Sequence, residues 1–354
     1  MKKKKTPESI LIIKLSAIGD VVHTLPFLEV LREKFPNSRI DWLVEEQASH
    51  IITGHPGLDR VIVSQRNSWK SRLLHLKSYM PLVREVSQFL KEIRSYEYDL
   101  VIDLQGLLKS GVLVGISKGK RKIGMGGARE GGWIFLKERP VPVDYEQHAI
   151  DRYLRVAGYL DCDLSSWKGD IPVSDSDKKW VNDFLKAKGN NERPLVAINP
   201  MARWKTKLWE PERFAVLADR INNELSCKVL FSGSNMDRNV IEDISKKMKA
   251  RPMNLAGRTS LKQLAYLFTK CEVLVTTDSG PMHIGAAMGC RVVALFGPTA
   301  PWRTGPYGRS HKVIRTGIEC SPCFKKRCND MSCMKEITVE SVFEAVKDTI
   351  IERS

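Results

Sequence analysis

The sequence predicts an α/β fold made of two Rossmann-like, doubly wound domains. Short apolar, β-branched runs alternate with segments whose apolar residues recur at helical spacing, which is typical of strands and helices alternating on a parallel sheet. This pattern stops in a polar stretch at residues 165–177 and then restarts. A chain of 354 residues is also long enough for two hydrophobic cores. We therefore expect one domain over residues 1–170, a second over residues 185–354, and a ligand site in the cleft between them.

The alternation places the individual elements. A first helix carries Val21, Leu25, Leu28 and Phe35 on one stripe. Strands are predicted in the first half at residues 9–15, 39–44, 60–63, 99–103 and 121–124, with a further helix at about 79–94. The second half is predicted to hold strands at residues 194–199, 228–232, 273–277 and 292–296, and helices at about 211–224, 237–248, 261–268 and 339–351. The last of these helices could pack back on the first domain.

The charge balance indicates an anionic partner. Lys and Arg outnumber Asp and Glu by 57 to 41, which gives a formal charge of +16. Such an excess attracts nucleic acid, anionic lipid or a phosphorylated substrate without distinguishing them. The basic residues 2–5 precede an apolar run that Lys14 cuts short, so it is too short for a signal-peptide core. We therefore expect a cytoplasmic protein. No apolar run approaches the roughly 20 residues that span a bilayer.

The strongest local pattern is the stretch at residues 275–308. A strand ends near Thr277, and Asp278, Ser279 and Gly280 turn the chain into a helix of small residues. Backbone amides and the dipole at a helix start form a site for anions, of which phosphate is the commonest. Thr277, Ser279 and His283 could add hydroxyl and imidazole donors. A tight strand-to-helix junction with a satisfied histidine explains the same residues equally well.

A basic loop follows the first strand of the second half. It carries Arg203, Lys205 and Lys207 beside Trp204 and Trp209, between a strand and a helix. Cations on a loop at a strand end can hold a diphosphate. A solvated loop whose tryptophans pack on the core is the alternative.

Asp20 raises the question of a catalytic carboxylate. It stands where the first strand gives way to the first helix, next to Gly19. Aspartate is a favoured N-cap residue and its charge suits the helix dipole. A general base at the edge of a cleft would use the same residue type, and local chemistry alone favours the cap.

Further polar and basic residues in the first half could contact an acidic lipid or sugar. Asp103, Gln105, Lys109 and Ser110 follow a strand. The other candidates are Arg66, Lys70, Arg72, Arg129 and His148. A charge run is more often a solvated face.

The eight cysteines fall into two groups. Cys162, Cys227, Cys271 and Cys290 are scattered and are expected to be small apolar core residues. The others follow a C-x2-C-x4-C-x4-C pattern, formed by Cys320, Cys323, Cys328 and Cys333. Four such thiols could hold zinc or an iron–sulfur cluster, but the spacing is not that of a standard zinc ribbon. A structural or redox role is preferred to a bound metal.

Taken in order, these motifs resemble glycosyltransferase family 9, the bacterial lipopolysaccharide heptosyltransferases. The matching stretches cover nearly the whole chain and are KLSAIGDVVHTLP, YDLVIDLQGLLKSG, GARE, HAIDRY, KLWEPERF, TTDSGPMHIGAAMG and LFGPTAPWRTGPYG. The first-half motifs are most similar to those of heptosyltransferase I. The resemblance implies a GT-B fold that binds the acceptor in the first domain and the nucleotide sugar in the second. It also implies ADP-heptose as donor, Kdo2-lipid A as acceptor, and inversion at the anomeric carbon.

The same resemblance implies roles for individual residues. Asp20 corresponds to the general base and Lys207 to a lysine that contacts the donor. Asp278, Gly280 and His283 match donor-site residues, with Ser279 where heptosyltransferase I can have threonine. The rest of the predicted donor site comprises Gly19, Arg203 and Thr277, and the predicted acceptor site comprises Arg66, Lys70, Arg72, Lys109, Arg129 and His148. Two hydroxyl residues expected just before the donor lysine are replaced by Ala202 and Arg203.

The expected partners and the alternative functions can now be stated. No cofactor or metal is expected beyond the donor substrate. The basic residues 2–5 and 66–77 are expected to bind the anionic cytoplasmic face of the inner membrane. One alternative is a family 9 transferase with a different acceptor, as in heptosyltransferase II, or a different nucleotide sugar. A remote alternative is a non-enzymatic nucleic-acid-binding module, which leaves Asp20 and the stretch from Asp278 to His283 unexplained.

Overall fold

The computed structural model describes residues 6–72, 79–127, 130–189 and 193–352. The chain divides into two compact units, residues 1–172 and 173–354. Each unit is a parallel β-sheet with helices between its strands, so the predicted α/β class with two Rossmann-like sheets is confirmed. That the two units enclose a ligand cleft stays a prediction.

The sheet of the first unit has the order β3-β2-β1-β4-β5, and all its strand pairs are parallel. Its strands are β1 (Ser9–Ile13), β2 (Arg39–Glu45), β3 (Arg60–Ser64), β4 (Glu97–Asp103) and β5 (Lys118–Gly124). Its helices are α1 (Ile18–Val22), α2 (Leu25–Lys34), α3 (Glu46–Ile52), α4 (Arg66–Arg72), α5 (Tyr79–Arg94), α6 (Leu108–Ile116) and α7 (Ala149–Tyr159). A 3-10 helix spans Gly132–Phe135.

The first predicted helix is divided in two. α1 ends at Val22, and α2 begins at Leu25 with Thr24 as its N-cap and Pro26 in its first turn. Proline fits the first turn of a helix but would remove a backbone hydrogen bond from the interior of a continuous one. Expecting one uninterrupted helix was therefore wrong, although its apolar residues are buried as predicted.

The sheet of the second unit has the order β11-β10-β9-β6-β7-β8, again with parallel pairs. Its strands are β6 (Leu195–Asn199), β7 (Lys228–Phe231), β8 (Met253–Asn254), β9 (Val273–Thr277), β10 (Arg291–Leu295) and β11 (Lys312–Ile314). Its helices are α8 (Asp175–Ala187), α9 (Pro211–Glu224), α10 (Arg238–Lys247), α11 (Leu261–Phe268), α12 (Gly280–Ala287), α13 (Pro301–Thr304), α14 (Ser332–Lys335) and α15 (Val339–Ile351).

The central strands are mostly apolar because parallel sheets are covered on both faces. Every residue of β1, β6 and β9 is buried. In the second unit, α15 adds Val342, Phe343 and Val346 to the core. Contact of α15 with the first domain stays a prediction. The four scattered cysteines are buried, as expected.

Each sheet reverses its strand order once, and this reversal determines where side chains can converge. In the first unit the chain leaves β1 on one side for β2 and β3, and returns to its other side as β4. In the second unit the equivalent point lies between β6 and β9. Ligands of open α/β sheets bind outside the carboxyl ends of the strands at such points. Asp20 follows β1, and the Lys207 loop and Asp278 follow β6 and β9, so the predicted residues lie at these positions.

None of the helices formed by the described residues combines the length and the apolar character that a membrane span needs.

Candidate active site

Asp20 is the third residue of α1, and its carboxylate closes the start of that helix. The N-cap residue is Ala17, whose backbone N–H donates a 2.9 Å hydrogen bond to Asp20 Oδ2. The interpretation of Asp20 as the N-cap was therefore wrong by three positions, because the extended backbone of the N-cap lies at Ala17. The carboxylate still satisfies a backbone donor at the positive end of the helix. Its side chain remains 38% exposed, which leaves it accessible to a substrate.

Two buried residues, Tyr153 and Lys14, lie next to the Asp20 carboxylate. The Tyr153 hydroxyl lies 3.5 Å from Asp20 Oδ1, and Lys14 Nζ lies 3.9 Å from the same oxygen. Lys14 is only 2% exposed and donates hydrogen bonds to Tyr153 Oη at 2.6 Å and to the Leu104 carbonyl at 3.0 Å. Burial lowers the pKa of Lys14 and raises the pKa of Tyr153 well above its usual value. An ammonium group and a phenol thus hold one carboxylate oxygen while the other bonds to the helix start.

The sequence analysis did not assign a role to either residue. Tyr153 lies on α7, 139 positions after Lys14, and only the fold brings the two together. The available signal was a single lysine that follows an otherwise apolar strand. Such a residue is rarely buried unless it has partners.

We expect Lys14 to make folding stability depend on pH in the alkaline range. In the folded chain, burial lowers the pKa of Lys14 below its usual value of 10.5. At pH values between the folded-state pKa and the unfolded-state pKa, the unfolded chain therefore binds more protons than the folded chain. The free energy of unfolding should therefore rise with pH through that interval as the cost of a buried ammonium is relieved. In Lys14→Met this contribution should be missing. Urea unfolding of both proteins at about pH 7 and about pH 10 measures it; identical pH slopes would refute the buried charge.

Hydrogen bonds connect the turn after β4 to the loop that leads to Asp20. Gln105 Oε1 accepts hydrogen bonds from the backbone N–H groups of Leu15 and Ser16, at 3.1 and 3.2 Å. Asp103 is buried and accepts from the amides of Gln105 and Gly106 and from the Ser110 hydroxyl. Burial raises the pKa of Asp103. Gln105 therefore holds the loop that leads to Asp20, and Asp103 holds the turn that carries Gln105.

Two of the predicted acceptor-site cations form ion pairs with Glu45. Lys109 Nζ and Arg66 Nε each lie 3.3 Å from Glu45 Oε1. Lys109 also donates a 2.8 Å hydrogen bond to Ser16 Oγ, in the loop that leads to Asp20. Both cations are thus held at the same edge of the sheet as Asp20. Glu45 itself was not predicted, because nothing in the local sequence marks it.

The remaining predicted acceptor residues are placed differently. Arg72 is paired with Glu85, and Lys70 is exposed on α4. His148 is the N-cap of α7, where its Nδ1 accepts a hydrogen bond from the Ile150 amide. Arg129, residues 2–5 and residues 73–77 of the basic stretch lie outside the described residues. Acceptor binding by all of these residues stays a prediction.

The second unit brings a lysine and a carboxylate together at its strand reversal. Lys207 lies in a 3-10 helix over Lys205–Lys207. Its Nζ lies 2.6 Å from Asp278 Oδ2. The Thr299 hydroxyl, on the loop after β10, donates to the same oxygen at 2.6 Å. The side chains of Lys207 and Asp278 are 15% and 7% exposed. Loops after three neighbouring strands therefore meet at one carboxylate. Thr299 was not among the predicted site residues.

The start of α12 lies beside this pair. Ser279 is the N-cap residue and Gly280 the first helical residue, followed by the buried His283. Thr277 donates to the Met201 carbonyl at 3.0 Å, and the Ser279 hydroxyl lies 3.2 Å from that of Thr276. Thr277 therefore ties the loops after β6 and β9 together. Arg203 is exposed on the loop before Lys207, and Gly19 is buried in α1 of the other unit. Donor binding by Gly19, Arg203, Thr277, Ser279, Gly280 and His283 stays a prediction.

Trp204 joins the donor loop to the cysteine-rich segment. Lys207 Nζ and Lys326 Nζ lie 4.5 and 5.2 Å from the centre of its indole ring. The Thr206 hydroxyl donates to the Lys325 carbonyl at 2.9 Å. A second ammonium group is therefore fixed near Lys207 by a segment that the sequence analysis treated separately.

The clustered cysteines are thiols in the structure. Cys320 and Cys328 are exposed, Cys323 is half-buried, and Cys333 is buried. Burial raises the pKa of the Cys333 thiol, and the three other thiols add to this effect. Within the described part of the chain, no three His, Cys, Asp or Glu side chains are arranged to hold a metal ion.

Comparison with known proteins gives the family. Residues 86–333 match the model of glycosyltransferase family 9 (heptosyltransferase). Lipopolysaccharide heptosyltransferase 1 of Pseudomonas aeruginosa is 32% identical over 324 residues, which are 90% of this chain and 87% of that protein. A solved family 9 glycosyl transferase from Veillonella parvula has a TM-score of 0.82 and 26% identity, covering 98% of each chain.

Escherichia coli heptosyltransferase WaaC, solved with ADP, has a TM-score of 0.76 and 25% identity, covering 96% of this chain and 99% of that one. The same enzyme has been solved with ADP-2-deoxy-2-fluoro heptose. These likenesses confirm the GT-B class expected from the sequence. The chain belongs to glycosyltransferase family 9, the heptosyltransferases.

Proposed function

We propose that this heptosyltransferase transfers L-glycero-D-manno-heptose from ADP-heptose to the Kdo of Kdo2-lipid A, with inversion, during assembly of the lipopolysaccharide inner core. The observation that supports this most is the Lys207–Asp278–Thr299 cluster beside the start of α12, where a diphosphate would meet both an ammonium group and helix amides. The relative with 32% identity is a lipopolysaccharide heptosyltransferase 1, and ADP is bound in the WaaC structure.

The donor site is assigned to residues 185–354. Lys207 would lie against the diphosphate, and the amides after Ser279 would direct the positive end of the α12 dipole towards it. Negative charge grows on the departing ADP as the anomeric bond breaks. Fixed cations and amides stabilise such charge without reorganising, which is usually the largest contribution to catalysis. Asp278 then has a positioning role, because it holds the ammonium group of Lys207 in place.

The acceptor site is assigned to residues 1–170. Asp20 would take the proton from a Kdo hydroxyl, and that oxygen would attack the anomeric carbon from the face opposite ADP. Tyr153 and Lys14 lie beside Asp20 Oδ1 and restrict its orientation. Lys109 and Arg66, which share Glu45, are the proposed cations for an acidic acceptor.

The cytoplasmic face of the inner membrane is the proposed location. Kdo2-lipid A is an anionic lipid, and the chain carries a formal charge of +16. Each basic residue near an anionic membrane contributes about 1 kcal/mol to binding. Residues 2–5 and 66–77 are the proposed basic contacts.

Donor selectivity tests this proposal against a transferase that uses another nucleotide sugar. We expect release of ADP from ADP-heptose, dependent on Kdo2-lipid A, and no release of nucleotide from UDP- or GDP-sugars. A coupled assay of nucleoside diphosphate measures all three donors. Turnover only with an acceptor that already carries a heptose would instead indicate heptosyltransferase II activity.

A further inference from the structure

An apolar surface is exposed at the edge of the first unit. Four large side chains form it: Leu108 and Val112 on α6, and Trp133 and Ile134 in the following 3-10 helix. They are 48%, 41%, 54% and 66% exposed. Leu108 and Val112 are four residues apart and therefore lie on one face of the helix. We call this set the Trp133 surface.

Glycines bring the two halves of the Trp133 surface together. A Cβ atom on Gly111 would lie 2.7 Å from the Gly132 carbonyl oxygen, and one on Gly132 would lie 2.6 Å from the Leu107 carbonyl oxygen. The backbone of the 3-10 helix is thus in direct contact with α6 and its preceding residue. Because Phe135 turns inwards against Gly115, Trp133 and Ile134 are the residues left outside.

The Trp133 surface adjoins the proposed acceptor side. Lys109 follows Leu108 and contacts Ser16 at 2.8 Å, in the loop before Asp20. An acceptor sugar that reaches Asp20 would therefore have its lipid portion near this part of the unit.

The charges around the surface favour an anionic partner. Lys109, which follows Leu108 in the chain, and Arg66 share one carboxylate, Glu45, so this group keeps one net positive charge. Arg66 lies on α4, whose other cations are Lys70, which is exposed, and Arg72, which is paired with Glu85. Glu130 lies at the start of α6, where it accepts from the Leu108 amide. Tryptophan is enriched where apolar and polar phases meet, and apolar side chains flanked by cations are the pattern of a surface that inserts into the headgroup region of anionic bilayers.

We propose that the Trp133 surface inserts into the anionic phospholipid bilayer that holds the lipid acceptor. The proposal rests on the proposed function for its orientation, because the lipid-linked substrate would approach Asp20 from this side. A second copy of the chain is a weaker candidate, since four partly exposed side chains offer less than the ~800 Å² per partner that stable protein interfaces bury.

Vesicle flotation tests this docking. The full chain is expected to float with vesicles of phosphatidylglycerol and phosphatidylethanolamine, and Trp133→Ser/Ile134→Ser should lower its partition coefficient about tenfold or more. Vesicles of phosphatidylcholine alone should bind the wild type more weakly, because they offer no negative charge to the cations. Equal flotation of wild type and variant, equal binding to both lipid mixtures, or no flotation of the wild type would overturn the proposal.

Two further variants make the result specific. Val216→Ser/Met236→Ser removes two apolar side chains that are 51% and 91% exposed in the second unit, and it should float like the wild type. Leu108→Ser/Val112→Ser, on α6, should lose vesicle binding as Trp133→Ser/Ile134→Ser does. If Trp133→Ser/Ile134→Ser fails to fold, the α6 variant tests the docking in its place. Gel filtration follows the oligomeric state, and a dimer that dissociates in the variants while vesicle binding is unchanged would assign the surface to a second copy.

Failure of the docking and failure of the proposed function can be told apart. Heptose transfer to a deacylated, water-soluble acceptor should be equal in the wild type and in the Trp133→Ser/Ile134→Ser variant. Absence of any transfer by the wild type would refute the proposed function while flotation still measures the docking.

Discussion

Asp20→Asn is expected to lower kcat about 10²–10⁴-fold, the contribution of a positioned general base. Asparagine has nearly the same shape and can still accept the hydrogen bond from the Ala17 amide, but it cannot take a proton from the acceptor. The KM for the donor should change little because the substituted group lies in the other unit from Lys207 and Asp278. Steady-state release of ADP, measured with saturating acceptor, gives both constants.

A matched control separates loss of the base from loss of the helix cap. Asp177 is also a third helical residue, and its Oδ2 accepts from the backbone N–H of the N-cap residue Ser174 at 3.3 Å. Asp177→Asn therefore makes the same carboxylate-to-amide change at a helix start, and it should leave kcat near that of the wild type. Wild-type turnover by folded Asp20→Asn would show that another group removes the proton.

Lys207→Met is expected to impair both donor use and stability. Loss of one preorganised donor at a developing negative charge typically lowers kcat by about 10²–10³-fold. Asp278 would keep its bond from Thr299 but lose its ammonium partner at 7% exposure. Breaking a buried pair from one side costs about 3–5 kcal/mol. Kinetics of ADP release and urea unfolding measure the two effects on the same protein.

Two companion variants identify the cause of each effect. Lys207→Met/Asp278→Asn should recover much of the lost stability, because no unpaired carboxylate remains, and should stay as inactive as the single variant. Lys205→Met changes an exposed lysine at the other end of the same 3-10 helix and should be mild in both assays. If Lys207→Met and Lys205→Met behaved alike, Lys207 would contribute only general positive charge.

Much of the fold was predictable because buried parallel strands have a simple signal. The nine predicted strands are all present, since runs such as those of β1 and β9 are fully buried and mostly apolar. The strands that escaped prediction, β8 and β11, have two and three residues at the edges of the sheet. Edge strands this short are half-buried and bury too little to leave a pattern.

The candidate site was predictable only where a residue follows a strand. Asp20, Lys207 and Asp278 each follow a strand whose end lies at the ligand-binding edge of a sheet, and the resemblance to family 9 supplied their expected roles. Their partners were not predicted, because Tyr153 reaches Asp20 across 133 residues and Thr299 reaches Asp278 from a third loop. Hydrogen bonds of this kind depend on tertiary packing and have no local sequence signature.

Mass spectrometry of the reaction product tests the central claim most directly. The full chain is incubated with ADP-heptose and Kdo2-lipid A, and the lipid product is analysed beside that of Asp20→Asn. The mechanism predicts that the wild type adds one heptose residue to the Kdo portion and that the variant yields far less of the same product. Unmodified Kdo2-lipid A after incubation with folded wild-type enzyme, or equal product from both proteins, would contradict it.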